Sequence, residues 1–296
     1  MTNNVLVLDE KKLRKGNPVG LPYIGSKKKV SKKIAQIIAQ NFGTDKPVYD
    51  LFGGGGAVSL ELMLNGFEDV HYNELDKMTF AAFRTALYDD FDVRDLIATR
   101  DEFFEIRDSN HDGLGELKLL VNSFGYDRKS YLYSQLISDD KTALAKTIVW
   151  KENNWRRYKQ TETYKSSEIE QIERIQQIQG IKQIERIQQI EHKDLKCTNV
   201  DYKDFGNLSG TILYLDPPYE QATNKYKLGM FNSAEFYDWA YEMSKQNIVI
   251  ISSYEVCDER FEPVFEFNDV HSRLSAKGIG NRTEKLFMVK EGSFNG

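Results

Sequence analysis

The chain has 296 residues, a formal net charge of −5, 40% hydrophobic and 29% charged side chains. That balance suits a globular protein with one large or two modest domains and excludes both a disordered chain and one built of membrane-spanning helices. Only two cysteines, Cys197 and Cys257, and four histidines occur, so neither a disulfide framework nor a metal site is expected.

In chain order, the short apolar stretch Val5–Leu8 precedes Lys11, Lys12, Arg14 and Lys15 and lacks a secretory pattern, so a cytoplasmic location away from membranes is expected. Nine basic residues fall between Lys11 and Lys33, with Tyr23 among them. A charge run is ordinarily a solvated face. Aromatic neighbours here, and again where Arg156 and Arg157 sit beside Trp150, Trp155 and Tyr158, keep phosphate contact open. Val48–Phe52 reads as a short buried strand, Gly53–Gly56 as a turn, and Ala57–Asn65 as a helix stopped by Gly66. Asp69–Glu74 reads as a second strand ending in acid, and periodic helical segments fill Leu75–Leu120. From Val121 to Val200 the chain is polar and irregular, an inserted domain or large subdomain. Alternation then resumes with a strand closing at Asp216, a helix over Ser233–Lys245, a strand over Asn247–Ser252, and a final pair around Val264–Phe267 and Leu286–Val289.

Within the polar region, isoleucine recurs at every third position from Ile169 to Ile190. An α-helix turns about 100° per residue, so a three-residue step drifts around the cylinder. A 3₁₀ helix, with about 3.0 residues per turn, would stack the isoleucines on one face, but long 3₁₀ helices are uncommon. Both conformations stay open, and either serves structure or spacing rather than chemistry.

The glycine turn after the first strand lets a ligand approach the backbone, and Glu74, 21 residues after Gly53, stands where an acid can take ribose hydroxyls. A nucleoside-containing cofactor fits. The dinucleotide fingerprint fails because Val58 replaces the third glycine, and no Lys-Ser or Lys-Thr follows to make a P-loop. Asp216-Pro217-Pro218-Tyr219 sets a carboxylate, a rigid turn and a ring at a strand's C-terminal end, where open α/β sheets bind ligands.

Together these motifs resemble the Dam-like D12 class of S-adenosylmethionine-dependent DNA adenine-N6 methyltransferases. Tyr23-Ile-Gly25-Ser-Lys27 matches the first element of that family; Asp50, Phe52, Gly54 and Gly56 the glycine turn; and Glu74 the acid after the second strand. Asn122-Ser-Phe-Gly125-Tyr126 looks like the start of the recognition segment, Asp204-Phe205 like the pair flanking the cofactor adenine, and Asp216–Tyr219 closes the set in order. Asp127-Arg128-Lys129 departs from the family's Asn-Gly and arginine, so no base-reading residue is carried over.

The resemblance implies an α/β, Rossmann-like methyltransferase fold with a mixed sheet and an inserted, mostly helical target-recognition domain. The catalytic domain is expected over residues 18–90 and 199–296, the recognition domain over 91–198. S-adenosylmethionine is the implied cofactor, held by Tyr23, Lys27, Asp50, Phe52, Gly54, Gly56, Glu74, Asp204 and Phe205, and double-stranded DNA the implied partner. Asp216 and the Pro217 carbonyl would accept the two N–H groups of a flipped adenine on a turn stiffened by Pro218, and Tyr219 would stack on its ring. Methylation of RNA adenine or cytosine N4, and a non-catalytic DNA-binding relative, are the alternatives. Oligomeric state is open between monomer and weak dimer.

Overall fold

A computed structural model describes residues 5–149, 176–191, 194–218, 231–271 and 283–290. Its main elements, in chain order, begin with α1 (Ser31–Phe42), β1 (Val48–Asp50), α2 (Ala57–Leu64), β2 (Val70–Asn73) and α3 (Lys77–Tyr88). Next come α4 (Arg100–Asp108), α5 (Gly113–Asn122), α6 (Ser138–Val149) and α7 (Gln176–Gln188). The chain closes with β3 (Lys196–Thr198), β4 (Ile212–Leu215), α8 (Ser233–Ser244), β5 (Ile248–Ser253), β6 (Phe261–His271) and β7 (Thr283–Val289). Contacts divide the chain into two units, one of residues 1–18, 27–76 and 194–296, the other of 19–26 and 77–193.

The first unit holds a mixed seven-stranded sheet in the order β3-β2-β1-β4-β5-β7-β6. The first five strands in that order are mutually parallel, while β7 runs antiparallel to both β5 and β6. This bears out the expected Rossmann-like fold. The continuous apolar run Ile212–Leu215 becomes a strand buried at every position, as a central parallel strand covered on both faces requires. On one face α8 sets Phe236, Tyr237, Ala240 and Met243 against Leu213, Leu215, Val249 and Ile251. Elsewhere in the unit α1 packs on α2, which packs on β1 and β2.

Helix α1 was not foreseen, because its first turn belongs to the basic run. Its buried stripe of Ile34, Ala35, Ile37 and Ile38 makes it a packing element. Much of that run serves structure: Arg14 makes a two-pronged contact to buried Glu61 at 2.8 and 2.9 Å, Lys33 pairs with Glu10 at 2.7 Å, and Lys32 donates to the Gly16 carbonyl.

The second unit is helical among its described residues. Thr99 and Glu102 form a capping box that starts α4. Asn122, fully buried, donates to the carbonyls of Leu96 and Lys118 and accepts from Ala98 N and Gln177 Nε2, so this residue of the expected recognition segment pins helices. Arg128 and Tyr126 both adopt left-handed φ of 63° around Gly125, and Arg128 pairs with buried Glu116 at 2.7 Å.

The stretch expected to be polar and irregular contains α6, α7 and the edge strand β3. The isoleucine ladder is α-helical over Gln176–Gln188, which excludes the 3₁₀ alternative there; residues 169–175 lie outside the described residues, as do Trp150 and 155–158. Ile178, Ile181, Ile184 and Ile187 are nevertheless all buried. Helix α7 packs against α3, α5, α6 and the 3₁₀ turn Val93–Leu96, so the drifting stripe meets neighbours on several sides. By contacts, residues 19–26 and 77–90, expected with the catalytic part, group with the helical unit, and 194–198, expected with the recognition part, group with the sheet.

Candidate active site

Strand order reverses between β1 and β4, and the ends of these two strands carry the acids the sequence singles out. In register, Asp50 lies opposite both Tyr72 of β2 and Tyr214 of β4, so Asp216 follows two residues past Asp50's neighbour. A crevice outside the carboxyl ends of parallel strands at such a switch point is where open α/β sheets bind ligands.

Asp50 is 1% exposed, and its Oδ2 accepts a 2.6 Å hydrogen bond from Ser59 Oγ on α2. Its Oδ1 is buried without a hydrogen-bond partner among the described residues. Burial pushes the carboxyl up to about 7, against the Ser59 hydrogen bond and with help from Asp216 and Glu74. An unsatisfied buried acceptor of this kind calls for a donor from a ligand.

The glycine turn is shaped by Tyr72. A Cβ on Gly53 would lie 2.2 Å from the Tyr72 ring, and the Tyr72 hydroxyl donates to the Gly54 carbonyl at 2.8 Å. Gly54 and Gly56 follow at φ 49° and 72°, conformations open to glycine at little cost, and Gly56 caps α2. Glu74 is held by two backbone donors, Gly54 N to one oxygen and Asp76 N to the other, each at 2.8 Å. Both carboxylate oxygens are thereby fixed in direction at the end of β2.

Behind Glu74 a set of amides ties two distant stretches together. Asn73 Nδ2 donates to the carbonyls of Leu51 and Val200, and its Oδ1 accepts from Val200 N and Thr198 Oγ1. Asn199 Nδ2 donates to the carbonyls of Glu74 and Leu75. The carboxyl ends of β2 and β3, parallel neighbours, are thereby fastened to each other.

Asp216 follows β4 with its side chain 17% exposed, and its Oδ1 is 2.6 Å from Lys27 Nζ. Lys27 is buried in the short 3₁₀ turn Lys27–Lys29, and the same ammonium is 3.8 Å from Glu284 Oε2 on β7. Burial pushes the Asp216 carboxyl up to about 6; Lys27 opposes that rise and Glu284 adds to it. Burial alone would depress the Lys27 ammonium, but Asp216 and Glu284 together hold it above its ordinary range. Glu284 in turn accepts from Ser252 Oγ of β5 at 2.9 Å.

The structure thus gathers Asp50, Gly54, Gly56, Glu74, Lys27 and Asp216 within the sheet unit. Pro217 is buried and Pro218 half-buried, while Tyr219 lies outside the described residues. Phe52 sits in an aromatic cluster with Tyr202, Phe231 and Phe236, at ring distances of 5.6, 6.2 and 5.7 Å. Asp204 is exposed on a 3₁₀ turn and Phe205 half-buried, its ring 6.0 Å from Tyr49. Tyr23 starts a turn closed by Ser26 N donating to its carbonyl at 3.3 Å, with Gly25 at φ 80°, in the segment grouped with the helical unit. Ser59, Asn73, Asn199, Ser252 and Glu284 escaped the sequence reading; a polar residue within a strand or helix carries no local mark of what it will meet.

The sequence model of the D12 class N6 adenine-specific DNA methyltransferases matches residues 23–248. Among solved structures the chain is similar to a candidate methylase from Haemophilus influenzae, at 12% identity, with 89% of this chain and 98% of that one covered and a TM-score of 0.33. It is also similar to a candidate methyltransferase from Escherichia coli, at 10% identity, with 94% of each chain covered and a TM-score of 0.37. No curated protein matches its sequence.

Proposed function

The chain belongs to the D12 class of N6 adenine-specific DNA methyltransferases, and from that we propose that it methylates N6 of an adenine flipped out of duplex DNA, with S-adenosylmethionine as donor. The observation that carries this reading is the pairing at the switch point of a buried acid, Asp50, one of whose oxygens has no hydrogen-bond partner among the described residues, with a reachable one, Asp216. S-adenosylmethionine, when bound, supplies a methyl group already activated on a sulfonium.

Asp50 is suited to the cofactor's ammonium, since its Oδ1 lacks a donor. Gly54 and Gly56 offer close backbone approach to the methionine part, and the pre-oriented Glu74 suits the ribose hydroxyls. We assign Asp204 and Phe205 to the adenine amino group and ring, and Phe52 and Lys27 to the walls around them. The exocyclic amine of adenine is a poor nucleophile because its lone pair is delocalised into the ring. Asp216 and the Pro217 carbonyl can each accept one of its N–H groups, which favours a pyramidal nitrogen with the lone pair aimed at the methyl. Positive charge then develops on N6, and the Asp216 carboxylate stabilises it and can take the released proton. Lys27 holds that carboxylate ionised near neutrality. Tyr219 is assigned to the face of the flipped base, and residues 91–198 to target recognition.

The test is transfer of labelled methyl from S-adenosylmethionine to duplexes with and without adenine. Label should appear only with adenine; label on adenine-free duplex, or on RNA alone, would overturn the assignment. Asp216→Ala should lower transfer by well over tenfold, more than ~1.4 kcal/mol of transition-state stabilisation, while cofactor affinity stays close to that of the parent.

A further inference from the structure

We propose that Glu284 is a positioning residue for methyl transfer, sharing the Lys27 ammonium with Asp216 and so setting the state in which that carboxylate meets the amine. The proposal rests on the role given above to Asp216. Glu284 is 3% exposed on β7, with Ser252 Oγ of β5 donating to its Oε1 at 2.9 Å and Lys27 Nζ 3.8 Å from its Oε2. The same Nζ is 2.6 Å from Asp216 Oδ1, so two carboxylates compete for one buried cation. A buried carboxylate is costly to keep, and well-packed apolar residues often replace such ion pairs without loss of stability. The charge on Glu284 therefore asks for a use, and its nearest beneficiary is Asp216.

Among the described residues, the charged and titratable groups acting on Asp216 come from four directions: Lys27 from its 3₁₀ turn, Glu284 from β7, Tyr214 from β4 and Asp50 from β1. Of these, Lys27 favours the ionised form of Asp216 and anionic Glu284 favours the protonated one. Glu284→Gln keeps an acceptor for Ser252 and removes only the charge. Asp216 should then lose its proton at lower pH.

The experiment is single-turnover transfer of labelled methyl from S-adenosylmethionine to an adenine-containing duplex, followed across the acid limb of the pH–rate profile with the full chain. Glu284→Gln is expected to leave the KM for the cofactor nearly unchanged and to move the acid limb to lower pH. Glu284→Asp, which keeps the charge, should restore the limb. A residue of purely structural importance would lower thermal stability and leave the limb where it was; an unmoved limb therefore overturns the proposal. Should Glu284→Gln not fold, Ser252→Ala removes the hydrogen bond that holds Glu284 beside Lys27 and should displace the limb, with an unmoved limb again decisive. If the unaltered protein methylates no adenine duplex, it is the role of Asp216 that fails instead.

Discussion

Asp50 holds one oxygen to Ser59 and leaves the other buried without a donor, which makes its protonation state a property of whatever binds beside it. Its folded-state pKa is raised to about 7, above that of an exposed carboxylate. For the ligand-free protein the sign follows: the stability tied to this group is full below the ordinary carboxylate range and is lost as pH rises through about 7. A cation at Oδ1 reverses the preference, so cofactor affinity should fall as pH drops below about 7, with proton release on binding. Asp50→Asn should weaken cofactor binding by about ten- to a hundredfold, the worth of a charged hydrogen bond of about 1.5–3 kcal/mol. It should also flatten the pH dependence; calorimetry in buffers of differing ionisation heat would detect both, and an equally steep dependence in the variant would remove Asp50 from the site. At this scale Asp216 was legible because it ends a short apolar run, and Asp50 and Glu74 because of their spacing from the glycine turn. The partner of Lys27 was not, since 189 residues of chain separate it from Asp216 and nothing local records the meeting.

Among the elements, the glycine turn is the one whose inner logic the sequence hid. Gly54 and Gly56 stood out by motif, yet the tightest approach is at Gly53, where the Tyr72 ring occupies the space of a side chain. Tyr72 is fully buried in the sheet and tied to Gly54 by its hydroxyl, so it cannot swing away. Gly53→Ala should therefore destabilise by about 1–3 kcal/mol through overpacking, read as a lower denaturation midpoint with unchanged slope; a stability equal to the parent's would show that the turn yields. Strands β4 and β5 were readable because parallel strands buried on both faces are near-continuous apolar runs, whereas β1 and β2 were marked by the glycine turn and the acid that follow them. Helix α7 was harder, because a three-residue period fits no single helical face. Its setting among α3, α5 and α6 is what makes that period workable, and a setting is not written in a repeat.

Across the whole molecule the sum of charge is acidic, yet the substrate of the family is a polyanion. The structure commits Arg14, Lys27, Lys32 and Lys33 internally, leaving Lys11, Lys12, Lys15 and Lys29 exposed in the same run. DNA affinity should still fall with salt, by about tenfold or more between about 50 and about 200 mM, if even two or three phosphates are neutralised; a dissociation constant indifferent to salt would exclude electrostatic contact with the backbone. No helix among the described residues is long and apolar enough to cross a membrane. At this scale the alternation of strand and helix foretold the sheet, and the break after β2 foretold an excursion. That excursion leaves from the carboxyl end of β2, which Asn73, Thr198 and Asn199 fasten to the carboxyl end of β3. Because Asn73, Asn199 and the turn after β3 grip one another directly, the carboxyl end of β2 is kept in place by amides rather than by the long chain between the two strands, as a clasp keeps its set whatever the length of the cord.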